Sequence, residues 1–238
     1  MALLSSILML LAIVVIHEAG HFVAAVLTGI RVRSLNLGFP VEFPLKIARR
    51  SFQIRLYLRW RWGEYRFTVS PILLGAAVDV DEEQLWKAPL WVRTAVFLGG
   101  PAANFASLLI VAFLLNGFTE GLAYSWRVIW LSAVSPLFIL FGHVSAAEVM
   151  GPVGIVSIST KIIEQDFRLL IHLFAIISGA LGTFNLLPIP VLDGGRVLMA
   201  VLADRGLSKR WSKIIIYGSF AVLILAMTAL TAKDISLL

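Results

Sequence analysis

The segment that decides the fold is residues 2–27, ALLSSILMLLAIVVIHEAGHFVAAVL, which carries His17, Glu18 and His21 inside an otherwise apolar run. As a helix it is about 39 Å long, enough to cross a hydrocarbon core of about 30 Å. No charged side chain precedes His17, so we expect a retained span rather than a cleaved signal peptide. Ionisable side chains within a span are costly unless they are paired or bind a metal. The segment therefore predicts a transmembrane helix with a functional site.

The spacing of the two histidines favours a metal site. On a helix, His17 and His21 lie on one face, so both imidazoles can bind the same ion. Glu18 lies about 100° around the helix, close enough to act as a base on a water beside the ion without being a ligand. The alternative, a buried polar cluster that joins helices, does not explain these residue types at this spacing.

A catalytic zinc site needs a third protein ligand, and Asp193 is the best candidate. The chain has no cysteine. Asp193 follows Pro188 and Pro190, which break an apolar helix, and broken backbone at membrane depth is tolerated only in a cavity or buried in protein. The alternative is that Asp193 caps the helix that starts beside it.

Four other polar residues are weaker candidates. His143 and His172 are interpreted as polar residues near the membrane surface. The amides of Asn104 and Asn185 could bond a peptide backbone or an oxyanion. They could equally bond one helix to another, and position alone favours that interpretation.

The composition indicates an integral membrane protein of one domain, residues 1–238. Hydrophobic residues make up 59% and charged residues 14%, with a mean hydropathy of +0.91, against about 45–50% and about 25% in soluble domains. The net charge of +6 does not indicate nucleic-acid binding, because the basic residues flank apolar spans and such residues mark the cytoplasmic side.

We expect a polytopic α-helical membrane protein with about four transmembrane helices, at residues 2–27, 90–115, 167–187 and 214–230. A small membrane-associated β-region, about residues 31–78, is predicted between the first two, with strands at 51–57 and 65–69. Residues 79–87 are a polar linker and 116–127 a connecting turn.

The basic blocks 31–66 and 205–213 both face the cytoplasm only if residues 127–141 form a short interfacial or re-entrant helix. The N-terminus is then outside.

Five stretches, in this order, resemble the site-2 protease family. They are VVIHEAGH (14–21), GEYRFTVSPILLGAAVDV (63–80), FLGGPAANF (97–105), GHVSAAEVMGPVGI (142–155) and FNLLPIPVLDGGR (184–196). The combination of H-E-x-x-H on the first span with a downstream N-x-x-P-x-P-x-L-D-G is specific. The likeness is to the bacterial branch that includes the regulator-of-sigma-E protease.

The resemblance implies that His17, His21 and Asp193 bind one Zn²⁺ and that Glu18 is the catalytic base. It implies that Asn185 binds substrate backbone near the metal, with a similar supporting role for Asn104. The β-region would present an extended substrate strand. The expected activity is an intramembrane endopeptidase in the bacterial cytoplasmic (inner) membrane. It would cut a membrane-protein substrate with a single transmembrane segment, toward the cytoplasmic side.

One departure from the family concerns regulation. The relatives in that branch carry one or two PDZ domains between the second and third spans, and residues 116–126 are too short for one. Restraint on substrate choice would come from a regulatory membrane partner, from residues 127–150, or from substrate supply.

Two other functions are considered. A non-catalytic zinc-containing membrane binding protein would not need Glu18, since structural zinc requires no base. A metal or small-solute transporter would need polar residues along both halves of the membrane, and Ala2–Leu11 offers only Ser5 and Ser6.

Overall fold

The computed structural model describes residues 1–39, 41–47, 50–56, 58–63, 65–70, 72–143, 145 and 149–237. The helices are α1 (Ala2–Leu27), α2 (Glu82–Lys87), α3 (Leu90–Leu140), α4 (Pro152–Gln165), α5 (Leu169–Asn185), α6 (Asp193–Asp204) and α7 (Lys209–Ser236). The strands are β1 (Val32–Phe39), β2 (Val41–Ile47), β3 (Arg50–Leu56), β4 (Leu58–Trp62), β5 (Tyr65–Val69) and β6 (Ile72–Val80).

Three of the described helices, α1, α3 and α7, are long and apolar enough to cross a membrane. They confirm a polytopic helical membrane protein, and α1 has the bounds predicted for the first span. Helix α7 extends beyond the predicted 214–230 at both ends. Helix α5, with 17 residues, is about 26 Å long and begins and ends inside the predicted 167–187. The number of crossings stays a prediction.

Helix α3 reverses direction at Gly117, whose φ of 74° and ψ of −179° are not helical. A Cβ on Gly179 of α5 would lie 2.7 Å from Leu108 and 2.8 Å from Val128, so these two side chains are neighbours. In a straight helix they would be about 30 Å apart. Residues 118–128 therefore run back beside the first half of α3. The turn predicted over residues 116–127 is wrong, because one glycine makes it and helix resumes at once.

The predicted β-region is confirmed, because the described residues between α1 and α2 form six strands. Four form one sheet in the order β4-β5-β1-β6, with β1 parallel to β5 and antiparallel to β6. Strands β2 and β3 form a separate antiparallel pair. The predicted strands at 51–57 and 65–69 correspond to β3 and β5. Strand β6 lies at the edge of the larger sheet, beside α1.

Helix α2 lies within the segment 79–87, which was predicted to be a polar linker. It connects the sheet to the end of α1 through hydrogen bonds. The Gln84 side chain donates to the Gly29 carbonyl at 2.9 Å and accepts from the Arg31 backbone N–H at 2.8 Å. Asp81 caps α2 by accepting from Gln84 N–H at 3.1 Å. This bond, with the Arg33 guanidinium 3.1 Å away, holds the pKa of Asp81 below its usual range.

A buried apolar cluster brings the ends of these elements together. It contains Ala25, Ile30, Val32, Leu85, Val92, Val96, Phe97 and Ala200. Beside it, the buried Arg93 of α3 pairs with Asp204 at the end of α6. The cluster and the ion pair hold α6 against α3, which places the start of α6 near the histidines of α1.

Candidate metal centre

Helices α1 and α3 cross with their backbones in contact. A Cβ on Gly20 would lie 2.1 Å from the Gly99 carbonyl oxygen, and a Cβ on Gly99 would lie 2.5 Å from that of Gly20. A Cβ on Gly100 would lie 2.4 Å from His21 Nε2 and 2.6 Å from His17 Nε2. Small residues allow such close approach between helices in membranes. Here they place both imidazoles directly against the α3 backbone.

Asp193 is the first residue of α6, after the loop that follows α5. A Cβ on Gly194 would lie 2.1 Å from the Leu186 carbonyl oxygen, and one on Gly195 would lie 1.8 Å from that of Ile189. The loop therefore folds tightly onto the first turn of α6, and only glycines permit this. Leu192 is the N-cap of α6 and no side chain caps the helix. The capping alternative for Asp193 is thus not what the structure shows.

Three side-chain atoms converge where α1 and α6 meet. Asp193 Oδ2 lies 3.1 Å from His17 Nε2 and 3.4 Å from His21 Nε2, and the two Nε2 atoms are 3.2 Å apart. His17 and Asp193 are only 7% and 6% exposed. Among the described residues, this is the one group of three or more His, Asp or Glu side chains that could hold a metal ion.

The chemistry of this donor set fits a cation. His21 Nδ1 lies 2.8 Å from the Val96 carbonyl oxygen, so Nδ1 carries the proton and Nε2 presents a lone pair. Asp193 Oδ2 is buried and has no hydrogen-bond partner. Ligands of a tetrahedral zinc ion, at about 2.0–2.2 Å, lie about 3.3–3.6 Å from one another, close to the separations found here. The three residues therefore fit Zn²⁺.

Asn104 contacts His17 at Nδ1, the ring nitrogen that does not face Asp193. Its amide is fully buried, with Nδ2 placed 3.2 Å from His17 Nδ1, while Oδ1 has no partner. If Nε2 of His17 is a ligand, the neutral ring carries its proton on Nδ1 and needs an acceptor there. With the amide O and N exchanged, Oδ1 accepts that proton. Asn104 Oδ1 and the His17 Nδ1 proton are then paired with each other, and Nδ2 takes the position without a partner.

Glu18 faces away from the three ligands, toward the sheet. Its Oε2 accepts a hydrogen bond from the Val78 backbone N–H of β6 at 3.0 Å. Together with Val15 and Ala19 it lines a pocket of about 220 Å³ between α1 and strands β1, β5 and β6. Glu18 is half-buried and follows the ligand candidate His17 directly in α1, so it lines an accessible pocket on the side of α1 next to the metal site.

The remaining predicted residues lie as follows. Asn185 is half-buried and donates to the Leu181 carbonyl of its own helix at 3.0 Å. Its substrate contact stays a prediction, and so does that of Asn104. His143 is exposed and His172 half-buried, and neither joins the metal-site group.

Sequence reasoning missed three contributors: the carbonyl of Val96, the N–H of Val78, and Gly100. The first two are backbone groups and leave no residue-type signal. Gly100 had a signal, because Gly99-Gly100 are small residues inside a span, where helices approach closely.

Comparison with known proteins places these features in a wider group. The chain is 32% identical over 123 residues to a Fusobacterium nucleatum protein, covering 49% of this chain and 36% of that protein. It is 31% identical over 140 residues to a Campylobacter jejuni protein, covering 58% and 38%. It is 30% identical over 156 residues to a Streptococcus pyogenes protein, covering 63% and 37%. All three are provisionally named zinc metalloproteases.

The chain thus spans little more than a third of the length of these relatives. A family-wide comparison covers far more of it, since residues 5–226 match the model of peptidase family M50. That range includes His17, Glu18, His21 and Asp193. The chain therefore belongs to peptidase family M50, the site-2 proteases.

Proposed function

We propose that this protein is an intramembrane zinc endopeptidase that hydrolyses a peptide bond in or near a transmembrane segment of a membrane-protein substrate. The observation that carries the proposal is the division of roles on α1. His17 and His21 face Asp193, while Glu18 faces a pocket beside the sheet. A structural zinc site has its four ligands and no adjacent base. This arrangement supports catalysis over a purely structural metal.

The residues divide the chemistry between them. His17, His21 and Asp193 would hold the zinc, which when bound supplies a Lewis acid that polarises a peptide carbonyl and acidifies water. Glu18 takes a proton from the attacking water and passes it to the departing amide nitrogen. The water oxygen bonds to the carbonyl carbon, the C–N bond breaks, and the proton remains on the new amine. Asn104 and the Val96 carbonyl hold the imidazoles in one orientation.

The substrate is bound as an extended strand along β6. Val78 N–H is bonded to Glu18 rather than to β1, so the backbone groups on this edge of β6 face away from the sheet. Since strand residues alternate, Ala76 presents its backbone in the same direction. A peptide paired there lies against the pocket lined by Glu18. Strand addition suits this reaction because a helical substrate keeps its peptide groups bonded internally.

Asn185 is proposed as a second contact to the substrate backbone. It ends α5, just before the loop that leads to Asp193. Asn104 has 0% exposure and its side chain contacts His17. We therefore assign it to holding His17.

The proposed membrane arrangement has about four crossings with the N-terminus outside. It requires that the second half of α3, residues 118–140, which takes the place of the short helix predicted at 127–141, does not cross the membrane completely. His17 and His21 lie in the second half of α1, on the side of the basic β-region, so cleavage is toward the cytoplasmic side. The membrane is the bacterial cytoplasmic (inner) membrane, and the chain belongs with the regulator-of-sigma-E protease branch. A membrane partner would regulate it in place of a PDZ domain between the second and third spans.

The test is cleavage of tagged single-span membrane substrates by the purified chain in detergent. Wild type and Glu18→Gln are compared, each with and without a zinc chelator. Cleavage that needs both Glu18 and zinc supports the proposal. Stoichiometric zinc with no cleavage across a broad panel, also after adding a membrane extract, would favour the non-catalytic binding protein.

A further inference from the structure

A second concave site lies away from the metal centre, where the sheet leaves the membrane helix. It has a volume of about 350 Å³ and is lined by Arg31, Arg33, Arg61, Arg66, Asp79 and Asp81. We call it the arginine pocket. Helix α1 ends at Leu27 and the chain turns at Gly29, with φ of 75°. The pocket therefore begins within a few residues of the end of a membrane span.

The arginine pocket carries unbalanced positive charge. Four guanidinium groups face two carboxylates, which leaves a net charge of +2 (4 − 2). Arg33 is paired with Asp81 at 3.1 Å. In the part of the chain that the structure describes, Arg31, Arg61 and Arg66 have no carboxylate within salt-bridge distance and are exposed.

Two of these arginines are paired on adjacent strands of the sheet. Arg61 of β4 and Arg66 of β5 are direct cross-strand partners. Like charges in that register destabilise a sheet. An anion bound between them would remove the repulsion, and anion binding would therefore stabilise the sheet.

Guanidinium groups match the oxygens of phosphate, which they bind in pairs of parallel hydrogen bonds. Two exposed tryptophans on the helices that follow the sheet indicate where the pocket lies relative to the bilayer surface. Trp86 of α2 and Trp91 at the start of α3 are 42% and 67% exposed, and tryptophans are enriched where a bilayer meets water. Helix α2 is bonded to the end of α1 through Gln84. The position of the pocket beside the end of α1 is the level expected for lipid headgroups.

We propose that the arginine pocket binds the phosphate of an anionic phospholipid headgroup. The lipid would hold the β-sheet, and with it the β6 edge, at a fixed height relative to the bilayer. This inference is independent of catalysis.

The test is native mass spectrometry of the full chain in a non-ionic detergent. Wild type is titrated with phosphatidylglycerol, with phosphatidylcholine of the same chain length, and with inorganic phosphate. The probe variant is Arg61→Gln/Arg66→Gln. The matched control is Arg205→Gln/Arg210→Gln, which removes two exposed arginines of the other basic block.

Wild type is expected to bind one phosphatidylglycerol in preference to phosphatidylcholine. The probe variant should bind it about thirtyfold more weakly, given about fivefold per arginine near a membrane surface, and the control should match wild type. Equal weakening in probe and control, or no preference between the lipids, would overturn the proposal. Inorganic phosphate binding as tightly as the lipid would overturn the assignment to a headgroup. An Arg61→Lys/Arg66→Lys variant, which keeps the charge, should recover part of the affinity and shows that loss in the probe is not misfolding.

Discussion

The carboxylate of Glu18 accepts a hydrogen bond from the backbone N–H of Val78, with 3.0 Å between Oε2 and N. This joins the proposed catalytic base on α1 to the edge strand β6. A substrate strand that paired with β6 would take the same N–H. Substrate binding and release of Glu18 toward water are therefore linked.

The substitution Glu18→Gln separates proton transfer from structure. The amide oxygen of glutamine can still accept from Val78, so the contact between α1 and β6 is kept. It cannot take a proton at neutral pH, so cleavage should fall at least about 10²-fold while bound zinc is unchanged. Peptide-bond cleavage and metal content, measured on the same preparation, check this. Full turnover by the variant would remove Glu18 from its role.

Substrate pairing with the edge of β6 is tested with Val78→Pro. Proline lacks the N–H but is tolerated at sheet edges, and one lost hydrogen bond of about 0.5–1.5 kcal/mol should raise KM roughly two- to tenfold. Val78→Ala keeps the N–H and is the control. Both should retain zinc. An unchanged KM for the proline variant would argue against strand addition at this edge.

Asp193→Ala removes the third ligand. Zinc affinity should fall by more than the about 10- to 100-fold that is typical for loss of a supporting residue. Competition with a chelator of known affinity measures it. Asp166→Ala, at the loop between α4 and α5, is the control and should retain wild-type affinity. Equal zinc retention by the two variants would mean that Asp193 is not a ligand.

Asn104 is tested for its support of His17. Asn104→Leu has no acceptor for His17 Nδ1 and should weaken zinc binding about 10- to 100-fold. Asn104→Asp keeps an acceptor at that position and should bind zinc far better than the leucine variant. The comparison uses zinc affinity rather than activity. If leucine and aspartate behaved alike, the contact with His17 would have only a packing role.

Gly100→Ala places a methyl group against both imidazoles, within 2.4 Å of His21 Nε2. We expect loss of stoichiometric zinc and a lower midpoint of thermal unfolding. Gly218→Ala in α7 is the matched control, because a Cβ there meets nothing within 4 Å. In a helix that change should leave stability equal or raise it by up to about 1 kcal/mol. Normal zinc binding by the Gly100 variant would contradict the close crossing.

The parts of the fold that depend on neighbouring residues were predictable. The four-residue spacing of His17 and His21 placed both on one face of α1. Alternation predicted β5 at Tyr65–Val69. The two prolines at 188 and 190 predicted the helix break that precedes Asp193. Each of these signals is contained within a few positions of the chain.

The fold-back of α3 was not predictable in the same way. Residues 116–127 contain two glycines and several polar residues, which are typical of a loop, yet only Gly117 leaves the helix. Residues such as Tyr124 and Val128 stay helical because they pack on Leu108 and Ala175. That packing depends on residues distant in sequence, so local composition gave the wrong length for the turn.

The contacts that hold the site residues in place also have little signal in the local sequence. Glu18 and Val78 are 60 residues apart, His21 and Val96 are 75 apart, and His17 and Asn104 are 87 apart. Two of these contacts use backbone atoms, which every residue possesses. The ligands themselves could be predicted because their side chains are rare in a membrane span. Asn104 was a candidate whose supporting role came only from the family resemblance, and the backbone groups of Val78 and Val96 could not be predicted.

The crossing of α1 and α3 also determines which parts of the enzyme can move. Where Gly20 meets Gly99 no side chains lie between the backbones, so there is nothing to rotate aside or compress. We therefore expect α1 and α3 to move together as one unit at this crossing. Any hinge that admits a substrate or expels a product must therefore lie elsewhere, in the sheet or in the loop before α6.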